Sequence, residues 1–537
     1  MRKLSCLLLV AVMVFTAVCV SFGCKKGADH FEITIACQSG DSEQTVMEDL
    51  IEAYKKVRPE VTVTLKSFSG DDFEVFMNGV SQDEKNSPHI IWTSDSYHAK
   101  WEQYFTDLRP YYEKDSSTDY SLYYSSMLDT AAINGKFKPT KNYTGEFRKD
   151  DRDVNSDGLE DYTKHSEYGI YFAPRDYNKP AILCNMALFA MLDEQYEKYY
   201  KNEKSVDQMP SDYVSSTARL NSIVAGENWN ELTDLFDFAK AVAEKVQYVV
   251  KRANAEGERR VEATWSNRAA LDLKLHWEPS YVTILHAMGI DAIINSDGTL
   301  NLEASATKLE TLHGYMYSTD NLYYGEKSDT AFNEGNIFMR LESRPALTAA
   351  LTSLVSVHED YYGITANKDK DPVQTISIPT DKIAAGCSGY AINSVYEGKG
   401  LKVKGEYRSY ADMCWDFIKF IITKDGQEVA AKSGNNIPVL KSLYDKESNG
   451  GVTPAWRNVA GLENMDHDAW VEGEDLVQDW YYIYKANTRI TFRTTITTFF
   501  KGFNTKNYND GTLSELINKT NQAYAASNPK DSLRSNG

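Results

Sequence analysis

Two alternating apolar segments flank a capped helix near the start of the folded chain, and this restricts the possible topology more than any other feature. Glu32-Ile33-Thr34-Ile35-Ala36 has the two-residue period of a half-buried strand. Asp41-Ser42-Glu43-Gln44 then forms an Asp-x-x-Gln capping box, and Val46, Met47, Leu50, Ile51, Tyr54 and Val57 follow at helical spacing. Arg58-Pro59 stops the helix, and Val61, Val63 and Leu65 alternate again. A strand, a helix and a strand in this order make a parallel unit with a right-handed crossover. A short helix over Phe73, Phe76, Met77 and Val80 and a strand at Pro88-His89-Ile90-Ile91-Trp92 continue the alternation, so the expected class is α/β.

Further along, residues 186–250 carry a mostly helical pattern, with Trp229-Asn230-Glu231-Leu232 opening an amphipathic segment. Lys251 to Arg260 reads as a charged, solvated stretch, and Asn295-Ser296-Asp297-Gly298 as a tight turn between Ile294 and Leu300. Asp360 to Pro372 is a polar break, Cys387 to Ile392 a strand, and Tyr410 to Ile422 an amphipathic helix. Helices are expected to dominate from there to the carboxyl end. At 537 residues the chain is long enough for two large units, and 42% hydrophobic residues with a mean hydropathy of −0.49 exclude both disorder and a many-helix membrane protein. A net charge of −19 repels a phosphate backbone, so nucleic acid is not an expected partner.

The amino terminus carries a secretory signal. Met1-Arg2-Lys3 precedes an uncharged apolar run from Leu4 to Phe22, and polarity returns at Gly23-Cys24-Lys25-Lys26. The Gly-Cys junction resembles a relaxed bacterial lipobox, with Cys24 as the lipidated first residue of the mature chain. An uncleaved anchor helix is the competing reading. Both place the body outside the cytoplasm, and loss of residues 1–23 takes the net charge from −19 to −21. Cys37, Cys184, Cys387 and Cys414 then remain at spacings that match neither a zinc site nor a disulfide framework, so they read as buried thiols with one long-range disulfide still open.

Asp153-Val154-Asn155-Ser156-Asp157-Gly158-Leu159-Glu160-Asp161 supplies oxygen ligands at positions 1, 3, 5 and 9, a backbone carbonyl from Leu159 at position 7, and glycine at the sharp turn. That is the pattern of an EF-hand-like or dockerin-like calcium loop. Position 12 is Lys164, so Glu167 or Asp151 would have to complete the shell. A structural calcium ion is expected here; the alternative is an acidic, solvated turn.

Taken in order, several segments resemble the family-one, carbohydrate-type solute-binding proteins of ABC transporters, the group that includes maltose-binding protein. They are the first strand and helix ending in Val61-Thr62-Val63, the Pro88 strand leading through Trp92 and Asp95 to Leu108, and Tyr168-Gly169-Ile170 through Cys184-Asn185-Met186. Trp229-Asn230-Glu231-Leu232, Phe332-Asn333-Glu334-Gly335 to Met339, and Ala411 to Gly434 with Trp415, Phe417, Gln427 and Ile437-Pro438 follow. The resemblance implies two interleaved α/β lobes with ligand in the cleft between them and closure about a hinge. It divides the chain into a signal (1–23), a tether (24–30), lobe one (31–178 and 384–440) and lobe two (179–383 and 441–537). It also implies a carbohydrate ligand, permease subunits as partners, a monomer, and contact with the membrane only through the lipid.

A sugar site needs flat aromatics for stacking and planar polar groups for hydrogen bonds. Trp92 and Asp95, past the end of the third strand, supply that pair, although a core tryptophan and a helix cap are the structural alternative. Gln38 and Asp41 follow the first strand, with Asp41 also a cap. The resemblance adds Arg175, Asp176, Tyr177 and Asn178 before the first hinge. Where the family runs from its Met to a stacking Trp, this chain has Glu342, Ser343, Arg344 and Pro345, which implies charged contacts from Glu342 and Arg344. Arg493 occupies the place of a family arginine that touches sugar, while Arg489 stands where a Trp would precede it.

No G-x-S-x-G, H-E-x-x-H or Walker loop occurs, so an enzyme is not expected. A secreted glycosidase, whose two carboxylates no local motif would reveal, is the alternative function, and a surface adhesin or scaffold is a third.

Overall fold

The computed structural model describes residues 30–527 apart from 39–40, 81–82, 84, 95–100, 102–103, 133–136, 140–168, 296–298, 326–329, 363–371, 404–405, 433, 460–461, 463–464, 472–473 and 477–485. β1 (Phe31–Gln38) and β2 (Val61–Phe68) lie parallel, in register from Phe31↔Val61 to Gln38↔Phe68, and the helix Asp41–Val57 crosses between them. β3 (Ile90–Ser94) adds parallel to β1 on its other side. The opening βαβ unit is therefore the one that the alternation predicts.

Two sheets organise the molecule. The first takes in β4 (Ala173–Asn178), β10 (Gly386–Ile392) and β13 (Ile437–Pro438), in the order β13-β4-β10-β3-β1-β2. The second holds β5 (Ala181–Asn185), β6 (Ala269–Asp272), β7 (Ile337–Glu342) and β8 (Val373–Ile376), in the order β6-β7-β5-β8. A hairpin of β11 (Gly400–Val403) and β12 (Glu406–Ser409) precedes the helix Tyr410–Ile422.

The chain passes between the sheets three times. Lys179-Pro180 joins β4 to β5. β9 (Lys382–Ala384) lies on the return to β10, and β14 (Glu474–Leu476) lies on the last passage and pairs in parallel with β9. The architecture is thus α/β with two interleaved lobes.

Two hydrophobic cores form, one mainly around each sheet, and the first also takes in Ala181, Leu183, Ile337 and Val373 of the second sheet. Ile33, Ile35, Ile90, Ile91, Tyr390 and Ile392 of the first pack with Tyr54 and with Trp415, Phe417 and Ile421. Tyr54 meets Phe417 edge-on at 4.8 Å, and its hydroxyl donates to Asp416 at 2.7 Å, which also receives Arg58 Nε at 2.8 Å. This locks the first helix to the helix Tyr410–Ile422. The second core gathers Leu188, Phe189, Phe236, Val242 and Tyr281 with Phe492, Ile496, Phe500 and Ile517 of the last two helices.

One position shows why the first sheet tolerates little change. Between Ser388 and Gly389 the pairing of β10 with β4 shifts register, and a Cβ on Gly389 would sit 1.9 Å from the Ala173 carbonyl oxygen. Only glycine admits that approach.

After Ile422 helices supply most of the regular structure, as expected, at Lys424–Ala431, Ala486–Phe503 and Leu513–Ala526. Among the described residues from 437 to 476, however, the regular elements are three short 3-10 turns and the strands β13 and β14. Pro438, Pro454, Gly450 and Gly451, the glycines at positive φ, interrupt helical geometry there. Burial of Leu443, Trp456, Met465 and Trp470 holds the segment instead, and the Asp466 amide donates to Gln374 Oε1 at 2.7 Å, which ties it to β8 of the second sheet. Cys37, Cys184, Cys387 and Cys414 are all buried and free, the buried thiols that their spacing suggests.

Candidate ligand-binding site

The strand directions bring chemistry to one edge of each sheet. β1, β2 and β3 are parallel, so Gln38, Phe68 and Ser94 end at the same edge. β10 runs against β3 and β4 runs against β10, so the pairs Ser388↔Ser94 and Gly386↔Asn178 place the start of β10 and the end of β4 there too. In the second sheet β6 and β7 are parallel and end at Asp272 and Glu342, while Ala181↔Glu342 puts the start of β5 beside them. Asn178 and Ala181 are separated only by Lys179-Pro180. The two edges therefore meet across the crossing strands, and open α/β sheets bind ligands beyond such strand ends.

On the lobe-one edge a buried ionic network centres on Arg175. Its guanidinium donates to both Glu43 carboxylate oxygens, at 2.5 and 3.0 Å, to Tyr390 Oη at 2.9 Å and to Asp176 Oδ2. The carboxylates and the Tyr390 ring around it hold its pKa well above the usual arginine value against the cost of burial. Asp176 in turn accepts from the Ser388 amide at 2.8 Å and from Ser388 Oγ at 2.7 Å. Gln38 and Asn178 flank this network, both half-buried. Gln38 Oε1, Asn178 Oδ1 and Arg175 Nε are buried without a hydrogen-bond partner among the described residues.

The lobe-two edge carries a second network that sequence reading largely missed. Lys274 Nζ donates to Glu342 Oε2 at 2.8 Å and lies 5.4 Å from the centre of the Trp277 ring. Arg340 approaches Asp272 at 3.4 Å and Glu342 at 3.7 Å. Burial pushes the Asp272 carboxyl up to about 6, against the pull of Arg340. Arg493 Nε meets Glu278 Oε2 at 2.8 Å, while Glu278 Oε1 is buried with no partner among the described residues. The signal for this set lay in Leu271-Asp272-Leu273-Lys274-Leu275 followed by Trp277-Glu278-Pro279. It is an alternating strand end, then a proline at a helix start.

The expected site residues separate accordingly. Gln38, Arg175 and Asn178 come together on lobe one, and Glu342 and Arg493 lie on lobe two. Trp92 is half-buried, opposite Tyr390 in the sheet and edge-on to Phe73 at 5.9 Å. Tyr177 is a correction: it is 2% exposed and packs against Tyr124 and Tyr444, because alternation along β4 turns it into the core between Asp176 and Asn178. Arg344 is another. It is fully buried, with its donors taken by the Gly434 carbonyl at 2.7 Å, the Trp456 carbonyl at 2.6 Å and His467 Nδ1 at 3.0 Å, and its guanidinium lies 5.0 Å from the Trp456 ring. Burial and the adjacent Arg344 push His467 down to about 4, so it stays neutral and accepts at Nδ1. The helix Asp41–Val57 begins at Asp41, whose side chain lies outside the described residues. So do Cys24, Asp95 and the acidic-loop residues Asp153, Asn155, Asp157, Leu159 and Asp161. Among the described residues no cluster suits a metal ion and no helix is long and apolar enough to cross a membrane.

Protein-family models and curated protein sequences offer no match to the chain. Solved structures do. The GacH receptor of Streptomyces glaucescens, described unliganded and with acarbose, aligns over 94% of this chain and 99% of its own, at 14% identity and a TM-score of 0.55. The sugar-binding protein MalE of Xanthomonas citri aligns over 92% and 98%, at 12% identity and 0.56. The cyclic alpha-maltosyl-1,6-maltose binding protein of Arthrobacter globiformis aligns over 93% and 99%, at 11% identity and 0.54. Across nearly its whole length, then, the chain has the two-lobe fold of these sugar-binding proteins.

Proposed function

We propose that this protein is the solute-binding component of an ABC importer, holding a sugar or oligosaccharide between its lobes and delivering it to a pair of permease subunits. One observation carries the reading. Among the described residues, Gln38 Oε1, Asn178 Oδ1, Arg175 Nε and Glu278 Oε1 are buried without a hydrogen-bond partner near the ends of the two sheets, which also carry half-buried Trp92 and Trp277. Buried polar atoms rarely stay unpaired, and a ligand rich in hydroxyls would satisfy acceptors and donors on both lobes at once. The tryptophans offer apolar faces to a sugar ring. The fold neighbours that bind acarbose and cyclic alpha-maltosyl-1,6-maltose support the same ligand class.

The mature chain is a monomer outside the cytoplasm, anchored by lipid at Cys24, and a calcium ion braces the Asp153–Asp161 loop. Incorporation of labelled palmitate that disappears in Cys24→Ala tests the anchor. A thermal-shift screen against carbohydrates tests the ligand, since a bound ligand at ~100 times its Kd stabilises by about 2.7 kcal/mol. A flat response to every sugar overturns the ligand class, and turnover of labelled glycosides overturns the binding-protein reading in favour of a glycosidase.

A further inference from the structure

We infer that the outer end of lobe one is a membrane contact, in which the β11–β12 hairpin and the turn after the first helix rest on anionic headgroups of the bilayer that holds the anchor. The inference takes the lipid at Cys24 from the proposed function above.

The tether sets the reach. Seven peptide steps separate Cys24 from Phe31, the first residue of β1, so the anchored residue lies at most about 25 Å from the sheet. The surface around Phe31 is held together by three contacts. The Phe31 amide donates to the Glu60 carbonyl at 3.0 Å, in the turn that follows the helix Asp41–Val57. The Tyr410 ring, next after β12, lies 5.0 Å from the Phe31 ring, and Arg408 Nη1 of β12 lies 3.7 Å from Glu60 Oε1. The end of the first helix, the start of β1 and the hairpin are therefore neighbours on one surface. Gln38 stands at the opposite end of β1, about 23 Å away at the rise of a strand, so contact through this end leaves the sugar-binding edge clear of headgroups.

Charge and apolar exposure fit that occupant. An anionic bilayer repels a mature chain of net charge −21, yet this end carries none of the acid excess. Glu52, Glu60 and Asp416 are offset by Lys56 at 3.4 Å, Arg408 at 3.7 Å and Arg58 at 2.8 Å. Lys55, Lys399 and Lys402 balance Glu32, Glu397 and Glu406, and Lys25 and Lys26 of the tether outnumber Asp29. Two large apolar side chains are also left open here: Val57 is 53% exposed and Tyr407 54%. The Tyr407 hydroxyl donates to the Gly398 carbonyl at 3.3 Å while its ring stays in solvent. A tyrosine ring beside basic side chains suits the headgroup boundary, where an apolar body and a polar tip are both satisfied.

Amine footprinting tests the contact. The unacylated mature protein is coupled through Cys24 to a maleimide phospholipid in vesicles of phosphatidylcholine and phosphatidylglycerol; the other four thiols are buried. Acetylation of Lys55 and Lys402 should slow about fivefold relative to uncoupled protein, while Lys240, on the lobe-two helix Leu232–Ala255, keeps its rate. The variant Lys402→Glu/Tyr407→Ser, altered at two exposed positions, should restore the reactivity of Lys55. Unchanged rates on vesicles overturn the contact, as does equal slowing of Lys240 or protection of Lys55 that survives in the variant. Equal slowing on phosphatidylcholine alone overturns the anionic headgroup as the partner. If labelled palmitate never marks Cys24 in cells, the anchor reading falls and the contact falls with it, whatever the vesicles show.

Discussion

Arg175 and Glu43 form a two-point ion pair, at 2.5 and 3.0 Å, that ties the strand entering the first crossing to the first turn of the first helix. The guanidinium is fully enclosed and the carboxylate nearly so, with side-chain exposures of 1% and 18%.

Removing Glu43 leaves a buried charge short of its main partner. Glu43→Ala is expected to cost about 3–5 kcal/mol of unfolding free energy, and Glu43→Gln, which keeps one acceptor, less. Denaturant unfolding of both variants measures this; equal stability of all three proteins would show that the pair is not what orders this edge.

Arg344 holds two tryptophan-bearing turns rather than ligand. Arg344→Met deprives the Gly434 and Trp456 carbonyls and His467 of their donor, for an expected loss of about 3 kcal/mol. Near-UV dichroism of Trp456 and Trp470 should weaken, while sugar affinity stays within about twofold of the original. A selective loss of affinity with stability intact would return Arg344 to the ligand.

Trp277 is expected to carry stacking on the lobe-two side. Trp277→Ala should weaken sugar binding by about tenfold with little change in unfolding temperature, since the ring is half-buried. Titration of the variant against whichever sugar stabilises the unaltered protein reads the effect, and unchanged affinity removes Trp277 from the site.

Asp272 gives a pH signature of unusual sign. Its carboxyl is raised from 3.8 to about 6 in the folded protein, so between those values the folded state holds a proton that the unfolded state has lost. Its contribution to stability therefore rises as pH falls from 6 to 4, by about 3 kcal/mol, and is flat outside that window. The difference in unfolding free energy between the unaltered protein and Asp272→Asn, measured from pH 4 to 8, should follow that curve.

If the acidic loop holds calcium, millimolar calcium should raise the unfolding temperature and a chelator should lower it. Asp157→Ala should abolish both responses. Identical melting with and without the ion identifies the loop as a solvated acidic turn.

The sequence by itself determined the local order of the chain. Apolar periodicity, the Asp41 capping box and the Arg58-Pro59 stop specify the opening βαβ unit, and Tyr410–Ile422 is a helix over the span its pattern predicts, because these signals act within one or two turns of backbone. Only the tertiary structure decided which polar residues stand at the sheet edges and which are enclosed. Tyr177 and Asn178 are neighbours in sequence, yet strand alternation buries the first among Tyr124 and Tyr444 and leaves the second at the sheet edge. Glu43 reads as part of a helix cap until β4 arrives, 132 positions later, with Arg175. Arg344 looks like a ligand contact until Trp456 and Trp470, more than a hundred residues on, close around it. Burial and charge compensation depend on partners remote in the chain, so no local pattern encodes them.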